Sequence, residues 1–143
     1  ERKKLSVEQM NYGYRTSVLK NGNEIAIVLS ALLRLKNSSR EEVSAKISEF
    51  SRRRKSAQPL GASMGSMFKN PAGDHAGRLI EAAGLKGTRI GNAEISTKHG
   101  NFFINHGETK AEDVRALILL TQETVFKKFG VNLEMEVELV GEW

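Results

Sequence analysis

The sequence contains no cysteine in its 143 residues. This absence excludes a disulfide framework, a zinc site built from thiolates and a catalytic thiol, and it fits a reducing compartment such as the cytoplasm. Long apolar runs are missing too: the apolar stretch at residues 24–35 is shorter than the ~18 residues that a membrane-spanning helix needs. That stretch predicts a buried strand instead, and we expect no membrane partner.

Histidine is scarce, and the three present, His75, His99 and His106, lack the i,i+4 spacing of a helical zinc site. We therefore expect no metal site and interpret each histidine as a loop or cap residue. Ser66 lacks the G-x-S-x-G setting of a hydrolase nucleophile, because the sequence around it is MGSMF.

The sequence begins at Glu1, and its charged opening stretch, ERKKLSVEQ, has no apolar segment behind it. A secretory signal peptide is therefore not expected. A start at Glu rather than Met predicts that the sequence is a piece of a longer chain.

The charge balance is basic, with 22 Lys and Arg against 17 Asp and Glu and a net charge of +5. Such an excess suits a phosphate-bearing partner, either a nucleic acid or a nucleotide. The only dense basic run is SRRRK at residues 51–55, and no aromatic residues interleave with it. A nucleic-acid surface is therefore not expected. The run also fits a solvated helix end, where basic residues complement the helix dipole.

Residue spacing in the first part of the chain predicts a strand-turn-strand unit over residues 15–36, with an Asn-Gly-Asn turn at 21–23. Ser39 and Glu42 have the spacing of a capping box and begin a predicted helix over 39–55. The apolar side chains on one face of this helix are Val43, Ile47 and Phe50.

Beyond Pro59 the spacing predicts a loop, a short helix, two strands, a long helix and a final strand. The short helix covers residues 75–84, and the long helix opens at a Thr109-Glu112 capping box and closes at Gly130. The strands are predicted at 87–96, 101–107 and 132–141, and the long helix aligns Val114, Leu117, Ile118, Thr121, Val125 and Phe129. Together these elements predict an α+β fold, a mixed sheet covered by helices on one side.

Five polar residues, far apart in sequence, are candidates for chemistry: Arg15, Ser66, Lys69, Asn70 and Glu136. Each one alone is an ordinary surface or turn residue. Composition and periodicity therefore predict an α+β domain with a phosphate-friendly loop after Pro59, and they specify nothing finer.

The order of the motifs adds a further observation. YGYRTS, RKSAQP, GSMFKNP, KHGNFF and LEMEV follow one another between Tyr12 and Gly141. In this order and at these distances the chain resembles the C-terminal part of the UDP-N-acetylenolpyruvoylglucosamine reductase family. The combination of G-S-x-F-K-N-P with K-H-x-N-F and L-E-x-E-V carries the resemblance.

The resemblance implies an enzyme that uses FAD and NADPH to reduce a UDP-sugar enolpyruvate to UDP-N-acetylmuramate for peptidoglycan synthesis. In that family a hydride reaches the enolpyruvyl double bond and a serine gives a proton to the neighbouring carbon. The matching positions imply that Ser66 is the proton donor, that Arg15 stabilises the charge that develops on the substrate carboxylate, and that Glu136, held as the acid, shares a hydrogen bond with it. A serine is a poor acid, so its alkoxide needs a stabilising group, and Lys69 is the candidate for that role.

The resemblance also implies a set of binding residues. Gly65 lets the backbone approach the flavin and the substrate. The implied substrate contacts are Tyr14, Arg54, Gln58, Lys69 and Asn70, with Arg54 and Gln58 facing the diphosphate.

The implied organisation is a remainder of the FAD-binding lobe at 1–58, a substrate-binding lobe at 59–130 and a strand returning to the active site at 131–143. Most of the FAD-binding lobe lies outside this sequence, so we expect the 143 residues alone to be inactive. Glu138 stands where the family commonly has an arginine. The alternative function is a non-catalytic nucleotide-binding domain of the same fold, which the presence of Arg15, Ser66 and Glu136 disfavours.

Overall fold

The computed structural model describes residues 1–22 and 25–142. The chain forms two compact units, one of residues 1–38 and one that starts at Ser39. None of the helices in the described ranges is both long and apolar enough to cross a membrane.

The first unit holds one short helix, α1 (Val7–Met10), capped by Ser6, whose backbone N–H in turn donates to Gln9 Oε1 at 2.8 Å. A tight turn follows, in which Gly13 and Thr16 exchange backbone hydrogen bonds of 3.1 and 3.3 Å.

The predicted strand-turn-strand unit over 15–36 is wrong for the residues that the structure describes. Residues 25–38 form neither helix nor strand, and the side chains of Ile25, Ile27 and Leu32 are almost fully exposed rather than buried. Asn23 and Glu24, which the predicted turn and strand include, lie outside the described residues. An apolar run becomes a strand only when a neighbouring strand pairs with it, and no such pairing is present in the described part of this unit.

The second unit begins with α2 (Arg40–Ala57), which confirms the helix predicted over 39–55. Ser39 Oγ accepts the Glu42 N–H at 3.1 Å and Glu42 Oε2 accepts the Ser39 N–H at 3.3 Å, so the predicted capping box is present. The helix buries no residue, and its apolar face of Val43, Ile47 and Phe50 is exposed.

A four-stranded sheet follows, composed of β1 (Ala62–Ser66), β2 (Arg89–Ile90), β3 (Ala93–Ile95) and β4 (Phe102–Asn105) in the order β1-β4-β3-β2. All pairs in this sheet are antiparallel, not mixed as predicted. The segment predicted as one strand over 87–96 is a hairpin, because Gly91 turns the chain at a φ of 54°.

Two helices accompany the sheet: α3 (Ala76–Ala82), and α4 (Ala111–Phe129), which contacts β2, β3 and α3. The α+β class is therefore confirmed. The N-cap residue of α4 is Lys110 rather than the predicted Thr109, whose Oγ1 donates to Asn105 Oδ1 at 2.8 Å. Phe129, predicted to face the core, is exposed. The core consists of Met67, Phe68, Ala76, Leu79, Ile80, Ala83, Leu85, Ala93, Ile95, Phe103, Leu117, Ile118, Val125 and Leu133.

The strand predicted over 132–141 is wrong, because the segment forms a single isolated bridge rather than a strand, although part of the predicted burial pattern is present. Leu133 is buried and Met135 and Val137 are half-buried, as the alternation predicts, but Leu139 is exposed. Within the described residues the pairing in this segment is limited to one bridge between Phe68 and Met135, with hydrogen bonds from Lys69 N to Glu134 O and from Glu136 N to Met67 O.

Candidate functional site

Ser66 lies at the end of β1, directly after a β-bulge. The register pairs Ser63 with Ile104 and Ser66 with Phe102, so one extra residue is accommodated on β1. Gly65 adopts a φ of 85°, a conformation that side chains rarely adopt, and a Cβ built on it would meet no atom within 4 Å. The bulge therefore redirects the strand at Ser66 and leaves open space beside Gly65.

The three residues that follow Ser66 are held from both sides. On one side Met67 N–H donates to Asn101 O at 2.9 Å. On the other, Glu136 N–H donates to Met67 O and Lys69 N–H donates to Glu134 O, both at 2.8 Å. Two of the candidate catalytic residues, Ser66 and Glu136, are thus brought together: Ser66 precedes the peptide group to which Glu136 is bonded.

Asn101 is a residue that the sequence analysis missed as a functional candidate. Its buried side-chain amide donates to Phe68 O at 2.8 Å and accepts the Phe68 N–H at 2.9 Å. The signal was present in the sequence, since Asn101 is the asparagine of the K-H-x-N-F motif.

A cavity of about 350 Å³ opens beside Ser66. Its wall carries two permanent cations, Arg78 and Lys98, one carboxylate, Glu81, and the imidazoles of His75 and His99. The remaining lining residues are Asn70, Gly77, Gly100 and Asn101. Cations around a polar cavity of this kind suit a phosphate-bearing ligand.

Asp74 anchors the arginine of this cavity. Arg78 Nε donates to Asp74 Oδ1 at 2.7 Å, and Arg78 Nη2 contacts the second carboxylate oxygen. The Arg78 hydrogen bonds, together with the His75 N–H, hold the pKa of Asp74 at about 2.

The comparisons with known proteins agree with this geometry. The sequence profile of the UDP-N-acetylenolpyruvoylglucosamine reductase C-terminal domain matches residues 56–140. The chain is 51% identical over 137 residues to the UDP-N-acetylenolpyruvoylglucosamine reductase of Caldicellulosiruptor bescii, covering 94% of this chain and 43% of that protein. It is 42% identical over 139 residues to a Bacillus licheniformis protein of the same name, covering 96% of this chain and 75% of the relative. The chain belongs to the UDP-N-acetylenolpyruvoylglucosamine reductase family.

The fold comparison gives the same family. The crystal structure of UDP-N-acetylenolpyruvylglucosamine reductase from Thermus caldophilus matches with a TM-score of 0.77 at 44% identity, covering 92% of this chain and 46% of that chain. The chain thus spans about half the length of most of the reductases it matches and corresponds to their C-terminal part.

Two family-implied substrate residues lie beside the bonded strands. Asn70 lines the cavity, and its Oδ1 accepts the N–H of Ala76, the first residue of α3, at 3.1 Å. Lys69 Nζ pairs with Glu134 Oε2 at 3.1 Å and is not among the residues lining the cavity beside Ser66. The role expected for Lys69 at the serine alkoxide stays a prediction.

The other family-implied residues lie on α2 and in the first unit. Arg54 Nε donates to Gln58 Oε1 at 2.9 Å at the exposed end of α2. The guanidinium carbon of Arg15 lies 5.7 Å from the centre of the Tyr14 ring, at the corner of the Gly13–Thr16 turn. Arg15 has a φ of 58°, which is uncommon for a residue with a side chain and costs about 1–3 kcal/mol.

A second cavity of about 450 Å³ lies between β1, β4, the start of α4 and residues 137–139. It is lined largely by apolar side chains and includes Glu138. No group of three or more metal-ligating side chains is present among residues 1–22 and 25–142.

Proposed function

We propose that this chain is the substrate-binding part of a cytoplasmic reductase that converts UDP-N-acetylglucosamine enolpyruvate to UDP-N-acetylmuramate with FAD and NADPH, in peptidoglycan precursor synthesis. The observation that carries the proposal is the 2.8 Å hydrogen bond from Glu136 N to Met67 O, which joins the segments bearing Ser66 and Glu136 beside a cation-lined cavity. Membership of the reductase family supports it.

In this proposal Ser66 gives a proton to one carbon of the enolpyruvyl double bond while the neighbouring carbon is reduced. Positioned acids of this kind contribute about 10²–10⁴-fold to a rate. Within the described residues the Ser66 hydroxyl makes no hydrogen bond, and the residue is half-buried at the cavity wall. The hydroxyl is therefore available to a substrate in that cavity.

Arg15 and Glu136 act on the substrate carboxylate. Negative charge builds up on this group as an enolate when the double bond is reduced, and a fixed guanidinium stabilises that charge more in the transition state than in the ground state. The uncommon backbone conformation of Arg15 fits a residue held in place for function. Glu136, held as the acid, donates a hydrogen bond to the same carboxylate.

The residues around Gly65 fit a flat cofactor such as FAD. A Cβ at this position would enter open space, and β1 pairs with β4 on one edge only, so a ring system has room to approach the backbone at Gly65 and Ser66. When bound, FAD supplies the hydride that it receives from NADPH. The remaining contacts to FAD are proposed to come from residues 1–58 together with the part of the FAD-binding lobe that this sequence does not include.

The substrate's UDP portion takes the cation-lined side of the site. Arg54 and Gln58 are proposed to face the diphosphate, and Tyr14, Lys69 and Asn70 to contact the rest of the substrate. Arg78 and Lys98 add positive charge to the cavity that Ser66 and Asn70 line.

The exposed apolar residues of this chain support a partner lobe from the same polypeptide. Residues 25–35 and the α2 face of Val43, Ile47 and Phe50 expose large apolar side chains. The family's relatives are longer than this chain, which supplies 43% of the length of the Caldicellulosiruptor bescii relative. We infer that residues 1–58 complete an FAD-binding lobe, that 59–130 bind substrate and that 131–143 return a strand to the active site.

The test uses the longer protein that carries these residues. Bound flavin is expected to absorb near 450 nm. In the Ser66→Ala variant, NADPH should still reduce the flavin, whereas reoxidation by the enolpyruvyl substrate should fall at least about 10²-fold. Ser63→Ala is the matched control, because Ser63 is an exposed serine on the same strand before the bulge, and it should keep full turnover.

Full turnover by Ser66→Ala would remove the serine from its role. Nucleotide binding without absorbance near 450 nm and without turnover would favour the non-catalytic nucleotide-binding alternative.

A further inference from the structure

We propose that Asn101 is a positioning residue for this reaction, because its side chain fixes the segment after Ser66 in register with the Glu136 segment. The inference rests on the proposed function. It assigns the amide of the K-H-x-N-F motif a role that the resemblance does not supply.

The strand pairing of β1 ends at Ser66, and beyond it the side chain of Asn101 supplies the hydrogen-bond partners of the backbone. Phe68 lies where the next strand pairing would be expected, but its backbone N–H and C=O bind the Asn101 side-chain amide at 2.9 and 2.8 Å. The amide thus replaces the peptide group of a neighbouring strand. The asparagine amide presents both the donor and the acceptor that a backbone pair needs, whereas an ionised aspartate of the same length offers acceptors only.

The main chain of Asn101 adds a further constraint, because its carbonyl accepts the Met67 N–H at 2.9 Å. Glu136 and Glu134 hold the opposite edge of the same segment at Met67 O and Lys69 N. Residues 67–69 therefore lie between Asn101 on one side and residues 134–136 on the other. A shift of Asn101 would displace Ser66 relative to Glu136.

Asn101 is itself tightly held. It is buried, its N–H donates to His99 Nδ1 at 3.2 Å, and a Cβ on the preceding Gly100 would come within 2.9 Å of Gly77 O. Met67 and Phe68 are fully buried too, so the Phe68 backbone N–H and C=O depend on the Asn101 amide for their hydrogen bonds. The geometry is therefore rigid on both sides of the contact.

The experiment compares Asn101→Asp and Asn101→Ala with wild type in the longer, flavin-bearing protein. Rapid-mixing kinetics would measure flavin reduction by NADPH and flavin reoxidation by the enolpyruvyl substrate separately. Displacement of a catalytic group by about 1 Å costs on the order of 10²-fold, so reoxidation should slow by that amount. Flavin reduction, which does not use Ser66, should stay within about twofold.

A pH profile separates positioning from loss of fold. An aspartic acid side chain in its neutral form has the shape of asparagine and offers both an O–H donor and a C=O acceptor. In Asn101→Asp the reoxidation rate relative to wild type should therefore recover as pH falls and the buried carboxyl takes up its proton. Asn101→Ala cannot recover, and a larger solvent isotope effect on its reoxidation should report slower proton transfer.

Thr121→Val is the control for a lost buried hydrogen bond, since Thr121 is fully buried and donates to Leu117 O within α4. It should leave both half-reactions and the pH profile unchanged. The inference is overturned if both Asn101 variants reoxidise at the wild-type rate, or if Asn101→Asp loses both half-reactions equally without recovery at low pH. If Asn101→Ala does not fold, the pH dependence of reoxidation in Asn101→Asp tests the inference by itself. A wild-type protein without flavin, or full turnover by Ser66→Ala, would overturn the proposed function and this inference with it.

Discussion

The Asp74 carboxylate shows how one side chain can fix a cation beside the candidate site. Its pKa is lowered to about 2, first by the Arg78 hydrogen bond and then by the His75 backbone N–H. A carboxyl whose folded pKa is lowered contributes stability above its unfolded pKa and loses it as pH falls through the folded value. The pair should therefore persist at neutral pH and open between about pH 4 and pH 2.

We predict that an NMR titration of the Asp74 carboxyl carbon will show a midpoint near pH 2 in the wild type. In Arg78→Gln the midpoint should move up toward the ordinary value of 3.8, because the largest cause of the shift is removed. It should stop short of that value, because the His75 N–H still donates to the carboxylate. An unchanged midpoint in the variant would show that Arg78 does not control this carboxyl.

Gly77 and Gly100 let α3 and the loop before β4 approach closely. A Cβ on Gly100 would lie 2.9 Å from the backbone oxygen of Gly77, whereas a Cβ on Gly77 would lie 2.9 Å from the side chain of His99. Backbone atoms yield less readily than the end of a side chain. The two glycines therefore differ in the cost of an added methyl group.

We predict that Gly100→Ala lowers the free energy of unfolding by about 1–3 kcal/mol, as overpacking of a tight contact does. Gly77→Ala should cost less, because His99 can turn aside and alanine favours the helix by about 1 kcal/mol over glycine. Urea unfolding of the two variants measures which substitution lowers the free energy of unfolding more. Equal costs, or a larger cost for Gly77→Ala, would contradict it.

At the scale of elements, α2 is a helix without a buried face in the described structure. Its 18 residues bury no side chain. Isolated helices of this length are marginal in water, so the capping box of Ser39 and Glu42 carries an unusual share of its stability.

We predict that Ser39→Ala destabilises α2 by about 1 kcal/mol, because the cap hydrogen bond to the Glu42 N–H is lost. Amide hydrogen exchange should accelerate across residues 40–57 and stay unchanged in α4. Ser48→Ala is the control, because Ser48 is exposed within the same helix and alanine there should raise helix stability by roughly 0.5 kcal/mol. Opposite signs for the two serines are the expected result, and equal effects would rule out the cap.

The elements that local sequence predicts well are those whose partners are also local. The helix α4 follows from the spacing of Leu117 and Val125, which are buried as predicted, although Phe129 at its end is exposed. Residues 25–35 have strand-like composition, but a strand requires a partner, and the sequence cannot supply one. The predicted Thr109 cap is wrong by one residue, since α4 has Lys110 as its N-cap and the Thr109 hydroxyl donates to Asn105 at the end of β4.

The candidate site was predictable residue by residue only through motif order. Ser66 and Glu136 are 70 positions apart, and the bonds that join them depend on a bulge at Gly65 and on pairing after the fold forms. The contact of Asn101 could not be predicted for the same reason, since its partner Phe68 lies 33 residues away in the sequence. Composition indicated a phosphate-bearing ligand, and the cations on the cavity wall agree with that class.

At the scale of the whole molecule, the proposed partner lobe changes the meaning of the exposed apolar residues. Ile47 and Phe50 on α2 are 60% and 59% exposed, and Leu119 on α4 is 54% exposed. By exposure alone the three are equivalent. They differ in the proposal, which covers the α2 face in the longer protein and makes no such claim for Leu119.

We predict that the double substitution Ile47→Gln and Phe50→Gln makes the isolated chain less prone to self-association but destabilises the longer protein. In the isolated 143-residue chain it should reduce self-association and dye binding, because it removes exposed apolar surface. In the longer protein it should lower the free energy of unfolding by about 1.5–3 kcal/mol per side chain, since the same surface is buried there. Leu119→Gln should change stability by less than about 0.5 kcal/mol in both. Light scattering and urea unfolding of the six proteins make the comparison, and a neutral double substitution in the longer protein would show that the α2 face remains open to solvent there.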